Sequence, residues 1–203
     1  MKIICIGRNY IEHAKELSNP VPKKPVFFLK PDTALLQKNN PFFYPAFSED
    51  VHYEVELVLR ICKNGRHIEE KFANNYYDEI GIGIDFTARD HQAECKKKGL
   101  PWEIAKAFDQ SAPIGKFIKT SEISDKNNIN FSLKINAQVR QLGNSKDMIF
   151  SFDQIIAYVS QFITLREGDF IFTGTPEGVG PAKIDDHFEA FIEDKKLLDF
   201  NVK

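Results

Sequence analysis

Residues 51–60, VHYEVELVLR, alternate along the chain with period two, the pattern of a half-buried β-strand. Val51, Tyr53, Val55, Leu57 and Leu59 share one face, and His52, Glu54, Glu56, Val58 and Arg60 share the other. A chain that must hide such an apolar face needs a sheet with something packed against it. The same segment poses a chemical problem. Glu54 and Glu56 point the same way, with backbones about 7 Å apart. Like charges that close repel unless water or a cation lies between them. A solvated outer face is the simpler explanation; a cation site requires that other parts of the chain supply further ligands.

The rest of the chain reads as strands with a few short helices. KIICIG, VFFLK, YYDEIGIGIDF, FIKT, NFSLKIN and QVRQLG are strand candidates, and two more flank Glu193-Asp194. Asn64-Gly65 predicts a hairpin turn inside VHYEVELVLRICKNGRHI. Asn9 is placed to cap a helix over YIEHAKELS. TARDHQAECKKKG predicts a second helix, with Thr87 as N-cap, Asp90 as its acidic partner and Gly99 at the end. Ser151 and Gln154 form a capping-box signature for a third, whose residues Ile155, Ile156, Val159, Phe162 and Ile163 make a core-facing stripe. Strands and helices do not alternate regularly, so the expected class is α+β, mostly β and rich in antiparallel pairs. No repeat, linker or composition break divides the chain, and one domain over 1–203 is expected.

Composition narrows the function. Eighteen phenylalanines point to an aromatic, sheet-rich core. A net charge of −2 gives no global basic field for nucleic acid. No apolar run reaches the length of a membrane span, and MKIICIGRNY lacks the features of a secretion signal. Cys5, Cys62 and Cys95 show no CxxC spacing, which argues against a disulfide framework or a zinc site and for a reducing, cytoplasmic setting.

A third acid stands at the end of GIGIDF: Asp85 shares its face with Gly81 and Gly83, which leave space beside it. Three carboxylates without Cys or His would form a hard oxygen site suited to Mg²⁺, Mn²⁺ or Ca²⁺. An acid at a strand-to-helix turn is also common without any metal. His13 and Glu16, at i and i+3, make either a surface pair or a base with its orienting acid. Arg89 and Gln92 follow Asp85 at helical spacing, and Lys106 stands among apolar neighbours, where an ammonium needs a partner. TGTPEGVGP could offer backbone amides and the Thr175 hydroxyl to an anion, but it is not a P-loop.

Taken in order, GRNYIEHAKE, KPVFFLKPDTAL, HYEVELVLR, GIDFTARDHQ, KKKGLPWEIAKAFDQSAPIG and FTGTPEGVGP resemble the fumarylacetoacetate hydrolase family, closest to its short acylpyruvase branch. The resemblance implies a mixed β-roll with barrel-like sheets and few helices, assembled as a homodimer. It implies Mg²⁺ or Mn²⁺ on Glu54, Glu56 and Asp85, a His13–Glu16 catalytic dyad, and Arg89, Gln92, Lys106 and Thr175 lining the substrate site. Ile84 stands where many relatives carry Asn before the metal aspartate, and Asn136-Ala137 where many carry Asn-Gly. The implied reaction is hydrolysis of a carbon–carbon bond in an acylpyruvate, giving pyruvate and a carboxylic acid. Lys106 and Gln92 would stabilise the charge that develops on oxygen. Oxaloacetate decarboxylation, keto–enol tautomerisation or isomerisation of an unsaturated dioxo acid uses the same enolate, and a non-catalytic, metal-stabilised binding module is the alternative of a different class.

Overall fold

The computed structural model describes residues 1–16 and 20–203. Its largest sheet has seven strands, in the order β2 (Phe27–Lys30), β1 (Ile3–Ile6), β11 (Phe170–Phe172), β5 (Val55–Ile61), β6 (Tyr77–Ile84), β8 (Ala112–Lys119) and β3 (Leu35–Leu36). Only the β1–β11 and β3–β8 pairs are parallel. A four-stranded antiparallel sheet runs β10 (Gln138–Asn144), β9 (Asn130–Ile135), β13 (His187–Ile192), β14 (Lys195–Asn201). A small third sheet joins β12 (Gly180–Pro181), β4 (Val51–Tyr53) and β7 (Thr87–Ala88). The helices are α1 (Ile11–Glu16), α2 (Arg89–Lys98), α3 (Glu103–Lys106) and α4 (Phe152–Phe162). The mostly β, antiparallel-rich class is therefore what the chain adopts.

One large core contains Leu57, Leu59, Ile80 and Ile82 of the seven-stranded sheet with Leu133, Ile135, Phe188 and Leu198 of the four-stranded one. Phe42 stacks on Phe86, and Phe86 meets Phe188 and Phe200 edge-on, which gives the phenylalanine-rich sequence its packing. A smaller cluster of Ile3, Cys5, Ala34, Val58, Ala112, Ile114, Phe170 and Phe172 covers the other face of the large sheet. The strand over 51–60 is thus buried on both faces rather than half-buried, and only Arg60 is exposed. It is also two strands, because the pairing changes partners at Glu54: β4 pairs with β7 and β12, β5 with β6 and β11.

Several local expectations change. β5 returns as β6, after an intervening stretch that includes a 3₁₀ segment at Glu70–Asn75. Asn64-Gly65 is therefore not the hairpin turn, and Gly65 bridges to Leu165 instead. Asn9 does not cap α1; its amide donates to Phe150 O and Thr173 O and accepts from Phe150 N. Leu17 and Ser18, in the sequence assigned to that helix, lie outside the described residues. Thr87 sits in β7 and donates to Asp85 O, so the first helical residue of α2 follows Ala88 without a side-chain cap. Asp90 turns to Ser48 Oγ and Glu49 N rather than to Thr87. Gly99 does close α2 in the left-handed conformation, with φ 65°. The capping box at Ser151 and Gln154 is fully formed, and Ile155, Ile156 and Val159 are buried. Phe162, at 57% exposed, falls off the core stripe because α4 ends there.

Candidate active site

The break between β4 and β5 falls at Glu54, beside the end of β6. Asp85 N donates to Glu54 O at 2.8 Å, and Glu56 lies opposite Gly83 in the β5–β6 ladder. This register brings the three carboxylates together: one oxygen each from Glu54, Glu56 and Asp85 lie within 4.8 Å of one another. They are 6%, 1% and 1% exposed, so the solvated-face explanation of the glutamate pair is excluded. Gly81 and Gly83 do not open space for the acid. A Cβ at Gly83 would stand 2.7 Å from the Phe172 ring, and one at Gly81 2.9 Å from Phe117. These glycines admit aromatic rings into the core on that face of the sheet.

Cations from three other elements converge on the acids. Lys106, at the end of α3, donates to Glu54 Oε2 and to Asp85 Oδ2, both at 2.8 Å, and lies over the Phe28 ring. Arg89, the first residue of α2, reaches Glu54 Oε1 at 2.6 Å with one nitrogen and Gln92 Oε1 at 2.7 Å with another. Lys30 completes the set. Its ammonium donates to Phe86 O, Ser111 O and Ser111 Oγ and stands 2.8 Å from Asp85 Oδ1. That approach is an ion pair off the hydrogen-bonding direction, so Asp85 Oδ1 keeps no hydrogen bond of its own. KPVFFLKPDTAL contributes to the family resemblance, but the resemblance implies no role for Lys30. The signal available was a lysine closing an apolar strand before proline, where burial demands a partner.

Charge decides the protonation of these groups. Burial would raise the Glu54 carboxyl, but Lys106, Arg89 and then His13 hold it far below the ordinary carboxylate range. Glu56 goes the other way: burial first, then the charges of Asp85 and Glu54, push it well above that range, against one bond from Gly174 N. Burial opposes the charge of Lys106 too, yet Asp85 and Glu54 keep its ammonium more firmly protonated than usual. An all-oxygen donor set, an orphaned Asp85 oxygen and a carboxylate strained by its neighbours fit a hard divalent cation.

His13, buried on α1, contacts Glu16 Oε2 through Nδ1 at 3.1 Å. The second oxygen of Glu16 accepts from Gly178 N at 3.0 Å, which ties α1 to the glycine-rich loop after β11. Thr175 of that loop is buried, and its Oγ1 accepts from Gln141. Of the nine residues singled out from sequence, Glu54, Glu56 and Asp85 lie at strand ends, Arg89, Gln92 and Lys106 on α2 and α3 beside them, and His13, Glu16 and Thr175 on α1 and the glycine-rich loop bonded to it.

The architecture and the acid-rich centre define a class before any name: a mixed β-roll whose strand ends carry a buried, all-oxygen carboxylate site. The family model for the C-terminal domain of fumarylacetoacetate hydrolase matches residues 2–203, and the chain belongs to the fumarylacetoacetate hydrolase family of enzymes. It is 46% identical over 201 residues to the oxaloacetate tautomerase FAHD1, mitochondrial, of Mus musculus, covering 99% of this chain and 91% of that protein. It is 45% identical over 183 residues to the oxaloacetate decarboxylase, mitochondrial, of Dictyostelium discoideum, covering 90% and 84%. Among solved structures, a fumarylpyruvate hydrolase from Pseudomonas aeruginosa in complex with Mn²⁺ and pyruvate superposes with a TM-score of 0.94 at 36% identity, covering 100% of this chain and 89% of that one. No helix among the described residues is long and apolar enough to cross a membrane.

Proposed function

We propose that this enzyme acts on small, doubly charged 2-oxo acids through their enol form, with tautomerisation and decarboxylation of oxaloacetate ahead of acylpyruvate hydrolysis. The observation that carries this reading is the charge arrangement. Two of the three carboxylates, Glu54 and Asp85, pair with the buried or half-buried cations Lys30, Arg89 and Lys106, so with Glu56 also ionised these charges cancel. A divalent ion held by Glu54, Glu56 and Asp85 then leaves the site with two positive charges, which suits a dianion. The relatives that carry oxaloacetate in their names support the same order. Sequence motifs alone favoured hydrolysis, because the acylpyruvase branch gives the closest motif match and the dyad suits water activation.

Mg²⁺ or Mn²⁺ is the proposed ion; when bound it would supply Lewis-acid charge that lowers the energy of an enolate. His13 takes the proton from the carbon beside the 2-oxo group, the 2-oxo oxygen gains a proton to complete the enol, and both transfers reverse in the other direction. Glu16 holds the Nδ1–H of the ring and stabilises the imidazolium that forms. Lys106 stabilises charge on the 2-oxo oxygen, and Arg89, Gln92 and Thr175 bind and orient the carboxylates. A homodimer is proposed with this reading, and a monomeric mass by light scattering would remove it.

Acylpyruvate hydrolysis is the second reading, favoured by the pyruvate-bound hydrolase neighbour. There His13 takes a proton from water, hydroxide adds to the 4-carbonyl, the C3–C4 bond breaks to release a carboxylic acid and the enolate of pyruvate, and the proton returns from His13 to C3. The test is a panel of enol and keto oxaloacetate and acetylpyruvate with Mg²⁺ or Mn²⁺, each against EDTA. The enol band reports tautomerisation, and product analysis reports pyruvate. Metal-dependent acceleration of oxaloacetate conversion is expected; acceleration of acetylpyruvate cleavage alone would reverse the order.

A further inference from the structure

Gln141, in the strand candidate QVRQLG, lies between the carboxylate strand and the glycine-rich loop. It belongs to β10, the edge of the four-stranded sheet. Pairing with β9 slips between Val139 and Gln141, so Arg140 is the extra residue. A bulge re-aims the side chains around it. Here Gln138, Val139 and Arg140 are exposed while Gln141 is 1% exposed. Its Oε1 accepts from Val55 N at 2.9 Å; its Nε2 donates to Thr175 Oγ1 at 2.9 Å and Pro176 O at 3.0 Å. The orientation is forced, because a backbone N–H only donates and a carbonyl only accepts. Val55 is the residue between Glu54 and Glu56, at the strand break. The loop approaches β10 closely: Gly178 has φ 93°, and a Cβ there would stand 2.6 Å from Arg140 O.

We propose that Gln141 is a positioning residue that sets the Thr175 hydroxyl as a hydrogen-bond donor to the substrate. The amide hydrogen of Gln141 fills one lone pair of Thr175 Oγ1, so the hydroxyl hydrogen is directed elsewhere. A carboxylate or enolate oxygen of an oxo acid is an acceptor for it. The same loop also holds Glu16 through Gly178 N at 3.0 Å. The inference rests on the reading of Thr175 as a substrate contact.

A double-mutant cycle tests it. Gln141→Met keeps length and volume and deletes the amide; Thr175→Val deletes the hydroxyl. Each alone is expected to lower kcat/KM by about tenfold, the rate equivalent of one hydrogen bond. Gln141→Met is expected to act mainly on KM, with Mn²⁺ affinity by calorimetry unchanged within about threefold, on the same scale. On the Thr175→Val background it should then cost little more. Equal factors of loss on both backgrounds would overturn the assignment to Gln141 and leave Thr175 in place. A harmless Thr175→Val would remove the substrate contact itself, and this inference with it. If Gln141→Met does not fold, Gln141→Glu replaces it in the cycle. Glu keeps the acceptor for Val55 N but claims the Thr175 hydroxyl hydrogen, so the same additivity criterion decides.

Discussion

Glu54, Glu56 and Asp85 stand at the ends of strands buried on both faces, and Lys30, Arg89 and Lys106 reach Glu54 and Asp85 from three other elements. His13 and Glu16 stand on a helix whose described length is six residues, and Glu16 is held to the loop by one bond from Gly178 N. The first region is a preorganised charge array, fixed before any substrate arrives. Its geometry is over-determined, as electrostatic stabilisation of an enolate requires. The second carries the pair proposed to exchange protons, and among the described residues Gly178 N is its hydrogen-bond tie to the glycine-rich loop. Damage to the first should remove the reaction; damage to the second should slow selected steps.

Glu56 offers the sharpest way to break the first region. Among the described residues it makes no ion pair with Lys or Arg, and its bonded partner is Gly174 N. Glu56→Gln therefore removes a proposed metal ligand without stranding a cation. Activity should fall at least about a thousandfold at ordinary Mg²⁺, because a bound divalent ion supplies several kcal/mol of transition-state stabilisation. EDTA should produce the same loss in the unaltered enzyme, and both should unfold cooperatively. Asp85→Asn should be equally inactive but also less stable by roughly 3 kcal/mol, since Lys30 and Lys106 lose a buried partner. Near-normal turnover in Glu56→Gln, with metal still required, would strike Glu56 from the ligand set.

His13→Ala probes the second region. A positioned general base contributes about 10²- to 10⁴-fold, so tautomerisation and acylpyruvate hydrolysis should each drop at least about 100-fold. Decarboxylation of oxaloacetate breaks a carbon–carbon bond without needing that base and should drop much less. Equal loss of all three, with substrate binding intact, would show that His13 serves a step they share. Glu16→Gln should cost less, about tenfold, because the amide still holds the ring but stabilises the imidazolium by one charge-assisted bond fewer. Metal affinity measured by calorimetry should stay unchanged in both variants; a shift there would dissolve the division between the regions.

The acid region was far more legible in the sequence than its supports. Period-two alternation put Glu54 and Glu56 on one face, and the strand ending in Asp85 followed from its isoleucines. The partner change at Glu54 was invisible, because alternation runs straight through it. Lys30 was missed because a lysine at a strand end usually reaches solvent, and only the tertiary fold reveals Asp85 above it. Asn9 looked like a cap and became a buried bridge to Phe150 and Thr173, since short polar side chains serve either role and long-range contacts choose. Gln141 depends on a bulge, which has no periodic signature. The Asn136-Ala137 turn shows the converse: both residues adopt positive φ, 52° and 64°, so the turn forms without the usual glycine.

The prediction with the smallest effect per unit of change concerns pH and the metal-free protein. Glu56 has its folded carboxyl raised by burial and by Asp85 and Glu54, while the unfolded chain titrates in the ordinary range, near 4.5. Between those values the folded state holds the proton and the unfolded state releases it. Stability of the metal-free enzyme should therefore fall as pH rises above the ordinary carboxylate range, by at most about 1.4 kcal/mol per pH unit, one proton's worth. Glu54 has the opposite sign: its depressed folded value gives stability that is complete above its unfolded range and lost on acidification. Above about pH 5.5 Glu54 has finished contributing, because both its states are then ionised. Glu56 can then be isolated by comparing urea unfolding of the EDTA-treated enzyme with that of Glu56→Gln from pH 5.5 to 8. The unaltered protein should show the steeper decline, and saturating Mn²⁺ should abolish the difference in slope, because the ion replaces the proton between the carboxylates. Identical slopes without metal would mean that the three acids do not strain one another, and the case for a cation resting on that strain would fall with it.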